Sequence, residues 1–280
     1  MRVRKRFGQH FLQPDWIAKV VHVVEPRPGD TVLEIGPGTG ALTRPLAREV
    51  ARIIAIEIDR DLASALVASA PSNVDVVTGD FLEADVPAVL QRAQPPSDHS
   101  RSSPTPVRVV GNLPYNVSSP ILFRILDLYD RYRLFSDATL MLQREVADRL
   151  LAPPGTRAYG VLGILVALRA TVTPLLTLPP GAFRPAPRVT SSVVRLVFHP
   201  PRVAADPVLF ERVVRGLFQH RRKTLANCTR SIWPPDARTS PAEGLAKAVL
   251  DPRRRPETLD LAELARLVAS YASARPGDVV

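Results

Sequence analysis

A single cysteine, Cys228, excludes an intrachain disulfide and any cysteine-built metal cluster. So sparse a use of thiols fits a reducing compartment, which makes the cytoplasm the expected location. The five histidines are scattered without ligand spacing, so no metal site is expected. No apolar run is long enough to cross a bilayer, because the longest, residues 161–178, is broken by Arg169 and Pro174. The start, Met1 to Phe7, lacks the apolar stretch of a secretory signal. Acidic residues are in the minority. With 27 Asp and Glu against 37 Lys and Arg, the net charge is +10, which points to a polyanionic partner. What is plentiful is core material: 45% of the 280 residues are hydrophobic, enough for one large domain or two smaller ones.

Short apolar, β-branched runs at 31–35, 52–56, 74–77 and 107–110 read as strands, followed by 138–142 and, near a sheet edge, 193–198. Helical patterns occupy 41–50 and 61–69. Strand alternating with helix predicts an α/β fold on a doubly wound parallel sheet. Residues 94–106, rich in Pro and Ser without periodicity, read as a flexible loop. Beyond Pro200-Pro201 the strand pattern stops. Phe210, Val213, Val214, Leu217 and Phe218 recur at helical spacing, and Leu261, Leu264, Leu267 and Val268 mark a last helix. The predicted division is one domain over 1–199 and a smaller all-α domain over 200–280.

Three strand ends carry ligand-type residues in sequence order. Gly36, Gly38 and Gly40 lie in the turn after the first strand, where glycine permits tight turning and close backbone approach. Glu57 ends the second strand, placed to hold ribose hydroxyls, and Asp80 with Phe81 ends the third, suited to an adenine amino group and ring. Singly, each has a bland reading: a tight turn, a surface carboxylate, a helix-capping Asp. Together they describe an adenosine-containing cofactor. The loop lacks both dinucleotide and P-loop spacing, so S-adenosylmethionine fits better than NAD or ATP.

After the fourth strand comes Gly111-Asn112-Leu113-Pro114-Tyr115, with Gly111 and Pro114 read as ending it. The amino group of adenine is a poor nucleophile because its lone pair is delocalised into the ring. The Asn112 side-chain oxygen and the Leu113 carbonyl are acceptors for its hydrogens, and Tyr115 offers a stacking face. Read alone, the same residues also fit a plain turn.

These segments jointly resemble the ribosomal RNA adenine dimethyltransferases of the KsgA type, almost end to end. The resemblance is carried by residues 5–12 (KRFGQHFL), 34–40, 57–59, Gly79-Asp80, 111–116, 142–146, 158–160, 183–189 and 221–225. It implies a Rossmann-like class I methyltransferase sheet using S-adenosylmethionine. It implies that Gln9, His10 and Leu12 close over the cofactor's methionine end, that Gly36 and Gly38 line it, that Glu57 holds the ribose and Asp80 the adenine. Asn112 would touch both cofactor and target, and Phe183 would form a second aromatic face opposite Tyr115. The chain departs from many relatives in carrying His10 where they have Asn, and in a longer 94–106 stretch.

Basic residues cluster at Arg4, Lys5 and Arg6, at Arg221, Arg222 and Lys223, and at Arg253 to Arg255, suited to phosphate contacts that position RNA. The expected function is dimethylation of two adjacent adenines near the 3′ end of small-subunit ribosomal RNA during ribosome biogenesis, by a monomer. The alternatives are a large-subunit methyltransferase of the macrolide-resistance type and a non-catalytic RNA-binding assembly factor.

Overall fold

The computed structural model describes residues 10–92, 106–203 and 206–275. The chain divides into two units, one from Met1–Ala147 and Thr171–Phe198, the other from Asp148–Ala170 and His199–Val280. Residues 148–170, assigned from the sequence to the first domain, group with the helical part.

The first unit is built on a seven-stranded sheet. It begins with β1 (Phe11–Leu12) and α1 (Pro14–Val24), then alternates β2 (Thr31–Ile35), α2 (Thr43–Ala47), β3 (Arg52–Glu57), α3 (Arg60–Val67), β4 (Val74–Thr78), α4 (Val86–Arg92), β5 (Val107–Asn112), α5 (Ser118–Tyr132) and β6 (Phe135–Gln143). After α6 (Arg144–Leu151) and α7 (Val161–Arg169) come β7 (Ala170–Leu178), β8 (Phe183–Arg184) and β9 (Ser191–Phe198). The sheet order is β4-β3-β2-β5-β6-β9-β7, while β1 and β8 form a separate ribbon. The first five strands pair in parallel, but β9 runs antiparallel to β6, so the sheet is mixed where a parallel one was expected. Strands β2 and β3 are almost wholly buried apolar runs, as strands covered on both faces must be.

Two local readings change. The apolar run 161–178 is two elements, a helix and then edge strand β7. Pro174 has no N–H for a ladder, and an edge is where a sheet tolerates that. Strand β5 does not stop at Gly111 but runs on through Asn112. Gly111 is required by close packing: a Cβ there would lie 3.0 Å from the Ile35 carbonyl oxygen of neighbouring β2.

The second unit contains α7 and four further helices, α8 (Pro207–Gln219), α9 (Leu225–Ile232), α10 (Pro241–Lys247) and α11 (Leu261–Ala274). Capping boxes start α10 (Ser240 with Glu243) and α11 (Asp260 with Glu263), and Asp206 caps α8. The buried stripe Phe210, Val213, Val214 and Leu217 on α8 matches the helical spacing read from the sequence. Val249 follows α10 with φ 56° although it is β-branched and 79% exposed. Such a backbone is strained, and no burial offsets it. Val249→Gly is expected to raise stability by about 1 kcal/mol, read as a higher urea midpoint at unchanged slope.

Candidate active site

The carboxyl ends of β2, β3, β4 and β5 open into one cleft of about 350 Å³. In an open α/β sheet this edge is where ligands bind. His10, Leu12, Gly36, Gly38, Glu57 and Asp80 all line it, as do Phe81, Asn112, Leu113, Pro114 and Tyr115. The structure therefore gathers every described cofactor and acceptor candidate except Phe183. Gln9, Arg4, Lys5, Arg6 and nearly all of the 94–106 stretch lie outside the described residues.

The glycine loop owes its path to backbone freedom. Gly36, Gly38 and Gly40 have φ of 67°, 59° and 78°, a region that side chains disfavour. At Gly38 a Cβ would also come within 3.3 Å of the Phe11 ring. The loop is tied to β3 by the Gly36 N–H, which donates to the Ile56 carbonyl at 2.9 Å.

Glu57 does more than wait for a ligand. One carboxylate oxygen accepts the Gly38 N–H and the other the Asp59 N–H, each at 2.8 Å. Burial pushes its carboxyl above the usual range, against the pull of those backbone donors. The Ile58 N–H also faces this carboxylate, which with about four acceptor sites keeps room for a hydroxyl. Asp80 Oδ1 accepts the Leu82 N–H at 2.9 Å, the capping contact the sequence allowed, and the residue borders the cleft. Phe81 is buried at the cleft wall.

Among the lining residues not singled out from the sequence, two bear on ligand chemistry. Ile58 is 43% exposed at the cleft, an apolar surface suited to a flat ring. Its signal was an apolar residue set between two acids at a strand end. Glu34 is only 2% exposed and its Oε2 has no hydrogen-bond partner among the described residues. Burial raises its carboxyl to about 7; the Thr43 hydroxyl facing the carboxyl pulls the other way, and the neighbouring Glu57 charge adds to the rise. A buried, incompletely satisfied carboxyl lining a cleft suits a cationic ligand.

The acceptor corner is tightly tied. Asn112, the last residue of β5, donates from Nδ2 to the His10 carbonyl at 2.8 Å. The Leu113 N–H donates to the Met141 carbonyl at 3.2 Å and its side chain is buried. The Tyr115 hydroxyl shares a 2.5 Å hydrogen bond with Ser191, and its ring stacks with His10 at a centroid distance of 5.4 Å. Phe183 departs from its expected role. It is 2% exposed, pairs with Leu12 in the β1–β8 ribbon and packs in the core with Leu178, Ala182 and Val193. Its proline-rich flanks suggested exposure, but the ribbon turns the ring inward. The ring against Tyr115 is that of His10.

In the helical unit, Arg157, Arg221, Arg222 and Arg255 line a cavity of about 540 Å³ together with Glu257. Arg221 is held by Glu257 at 2.9 Å and donates to the Arg157 carbonyl at 3.1 Å. Lys223 is exposed outside that lining. Of the 253–255 run only Arg255 reaches the cavity, since Arg253 pairs with Asp251 and Arg254 with Glu263. Among the described residues no group of three or more His, Cys, Asp or Glu side chains is placed to hold a metal. Among the described residues no helix is long and apolar enough to cross a membrane.

The model of the ribosomal RNA adenine dimethylase family matches residues 1–266. The chain is 43% identical over 279 residues to the Ribosomal RNA small subunit methyltransferase A of Aromatoleum aromaticum, covering 98% of this chain and 96% of that one. It is 42% identical over 271 residues to the protein of the same name from Acinetobacter baylyi, covering 95% and 91%. Among solved structures, a dimethyladenosine transferase from Plasmodium falciparum is similar at TM-score 0.75 and 25% identity, over 95% of this chain and 98% of that one. The 23S rRNA methyltransferase ErmE is alike in fold, at TM-score 0.64 and 24% identity over 94% and 99%. With the match running from the first residue into the last helix, the chain belongs to the ribosomal RNA adenine dimethylase family.

Proposed function

We propose that this ribosomal RNA adenine dimethyltransferase works in the cytoplasm with S-adenosylmethionine as donor, and that it dimethylates two adjacent adenines near the 3′ end of small-subunit ribosomal RNA. The observation that carries the reading is convergence: the glycine loop, Glu57, Asp80 and Asn112 meet in one cleft although they come from four strand ends. Glu34 adds the fit to this cofactor, because a ligand bearing a sulfonium and an ammonium suits a buried carboxyl with an unpartnered oxygen.

When bound, the cofactor supplies an electrophilic methyl group, and the chain's own residues bind and orient. Glu57 accepts ribose hydroxyls on its spare lone pairs, Asp80 accepts from the adenine amino group, and Ile58 and Phe81 provide the apolar walls. His10 and Leu12 border the remaining side, where Gln9 belongs in the same reading. At the acceptor corner, Asn112 Oδ1 and the Leu113 carbonyl hold the hydrogens of the target amino group. Pro114 fixes the turn that presents them. Tyr115 gives a stacking face to an unstacked base, worth about 1–3 kcal/mol. Positioning of this kind is the protein's share of an in-line transfer.

Docking of RNA phosphates is assigned to Arg221, Arg222 and Lys223, with Arg157 and Arg255 joining them and Arg4, Lys5 and Arg6 serving at the amino end. A double charge reversal, Arg222→Glu with Arg255→Glu, is expected to weaken binding to small subunits by about tenfold or more near 0.1 M salt. It is also expected to flatten the salt dependence by about two phosphate contacts. Filter binding across a salt series reads both. The test of the whole reading is incubation with immature small subunits and methyl-labelled S-adenosylmethionine, followed by mass mapping of the RNA. Dimethyladenosine at two neighbouring positions is the expected product; unmodified small-subunit RNA, beside an active control enzyme, refutes the reading.

A further inference from the structure

We infer that His10 is a positioning residue for Asn112: its main-chain carbonyl sets which way the Asn112 amide faces, and its ring holds that carbonyl in place. The inference rests on the functional reading above for its consequence, but its geometry stands on three contacts. The Asn112 amide meets the His10 carbonyl oxygen at 2.8 Å. A carbonyl only accepts, so the atom facing it must be the NH2 nitrogen. The amide oxygen is then the group Asn112 has left for a ligand in the cleft it lines. Turned the other way, the same side chain would present hydrogens to the hydrogens of a target amine.

The chain just after residue 10 is held by the ribbon: Phe11 pairs with Arg184 and Leu12 with Phe183, the Gln13 N–H donates to the Ala182 carbonyl at 2.8 Å, and Leu12 and Phe183 are buried in the core. Residue 10 itself is fixed by its ring. Nδ1 lies 2.7 Å from the Pro185 carbonyl, which again only accepts, so this nitrogen carries the hydrogen. The other hold is the stack on Tyr115, inclined at 26°. Tyr115 is itself braced by Ser191 at the start of β9. Residue 10 is thus cross-linked to the segments after β5, after β8 and at the head of β9.

Two variants and two readouts test this. His10→Ala removes both holds while leaving a carbonyl at the position; at saturating S-adenosylmethionine it is expected to lower kcat on small subunits about tenfold while the KM for the subunit stays within about threefold. His10→Phe keeps the stack without the donor and is expected to fall between, which also guards against a folding artefact in the alanine form. Independently of turnover, the two side-chain amide protons of Asn112 in 15N-labelled protein are expected to be well separated and slow to exchange in the wild type. In His10→Ala they move to solvent-exposed values. Unchanged amide signals in His10→Ala overturn the proposal, as does an unchanged kcat with wild-type protein active. Should the wild type itself methylate nothing, the functional reading fails, and the amide signals alone still decide the His10–Asn112 contact.

Discussion

At saturating S-adenosylmethionine, Asn112→Ala is expected to lower methyl transfer by about two to three orders of magnitude while leaving subunit binding within a few fold. The adenine amino nitrogen gains positive charge as it attacks, so an acceptor dipole fixed beside it is worth more in the transition state than in the ground state. Removing one preorganised polar group of this kind typically costs 10²–10³ in rate. The side chain is preorganised here at the end of β5, inside the sheet's pairing with β6, and through its bond to the His10 carbonyl. Alanine leaves the strand intact and removes only the amide. Single-turnover methylation with saturating enzyme reads the chemical step, and calorimetric titration reads cofactor binding. Full turnover in the alanine variant would take the acceptor role away from Asn112.

The second large effect is on stability. The Glu34 carboxyl, buried beside the cleft, is raised from 4.5 to about 7. Below pH 4.5 it is protonated in both folded and unfolded chains and contributes no pH dependence. Between pH 4.5 and 7 the unfolded chain ionises while the folded one keeps its proton, so stability falls as pH rises. Above pH 7 both are ionised and the full loss, about 3 kcal/mol, persists. Glutamine cannot ionise. Glu34→Gln is therefore expected to make the ligand-free protein more stable at pH 8 by up to about 3 kcal/mol, with the gain vanishing toward pH 4.5. Urea unfolding at pH 5, 6, 7 and 8 reads it; parallel curves for the two proteins would reject the ionisation account. The same substitution is expected to weaken cofactor binding at pH 8, because the buried charge that costs stability is the one a cationic ligand would meet. Stability and binding moving in opposite directions is the signature to look for.

Much of this was legible in the chain. Strands β2, β3 and β4 fall within a residue of the runs that announced them; β2 and β3 are buried runs of the kind a strand covered on both faces leaves, whereas β4 is a half-buried edge strand read from its β-branched valines. The cleft was legible too, since in such a sheet the residues just past each strand share one edge. Helix α2 is only Thr43–Ala47, shorter than its pattern at 41–50, as the approach is taken up by turns around Gly38 and Gly40. What stayed hidden depends on contacts distant in sequence. Phe183 turns inward because β8 pairs with β1 some 170 residues earlier, which no local composition encodes. The missing partner of Glu34 is a property of packing. Arg157 joins Arg221 and Arg255 only through the fold of the helical unit. The grouping of 148–170 with the helical unit had no compositional signal.

One bond pattern has a consequence for how such a corner changes over time. Because the two oxygens of Glu57 separately grip the turn after β2 and the turn after β3, those turns behave as a single riveted plate. A drifting sequence cannot reshape one half for a new ligand and leave the other at rest. Substitutions there must arrive in company, and a lineage that loses the rivet loses both halves at once.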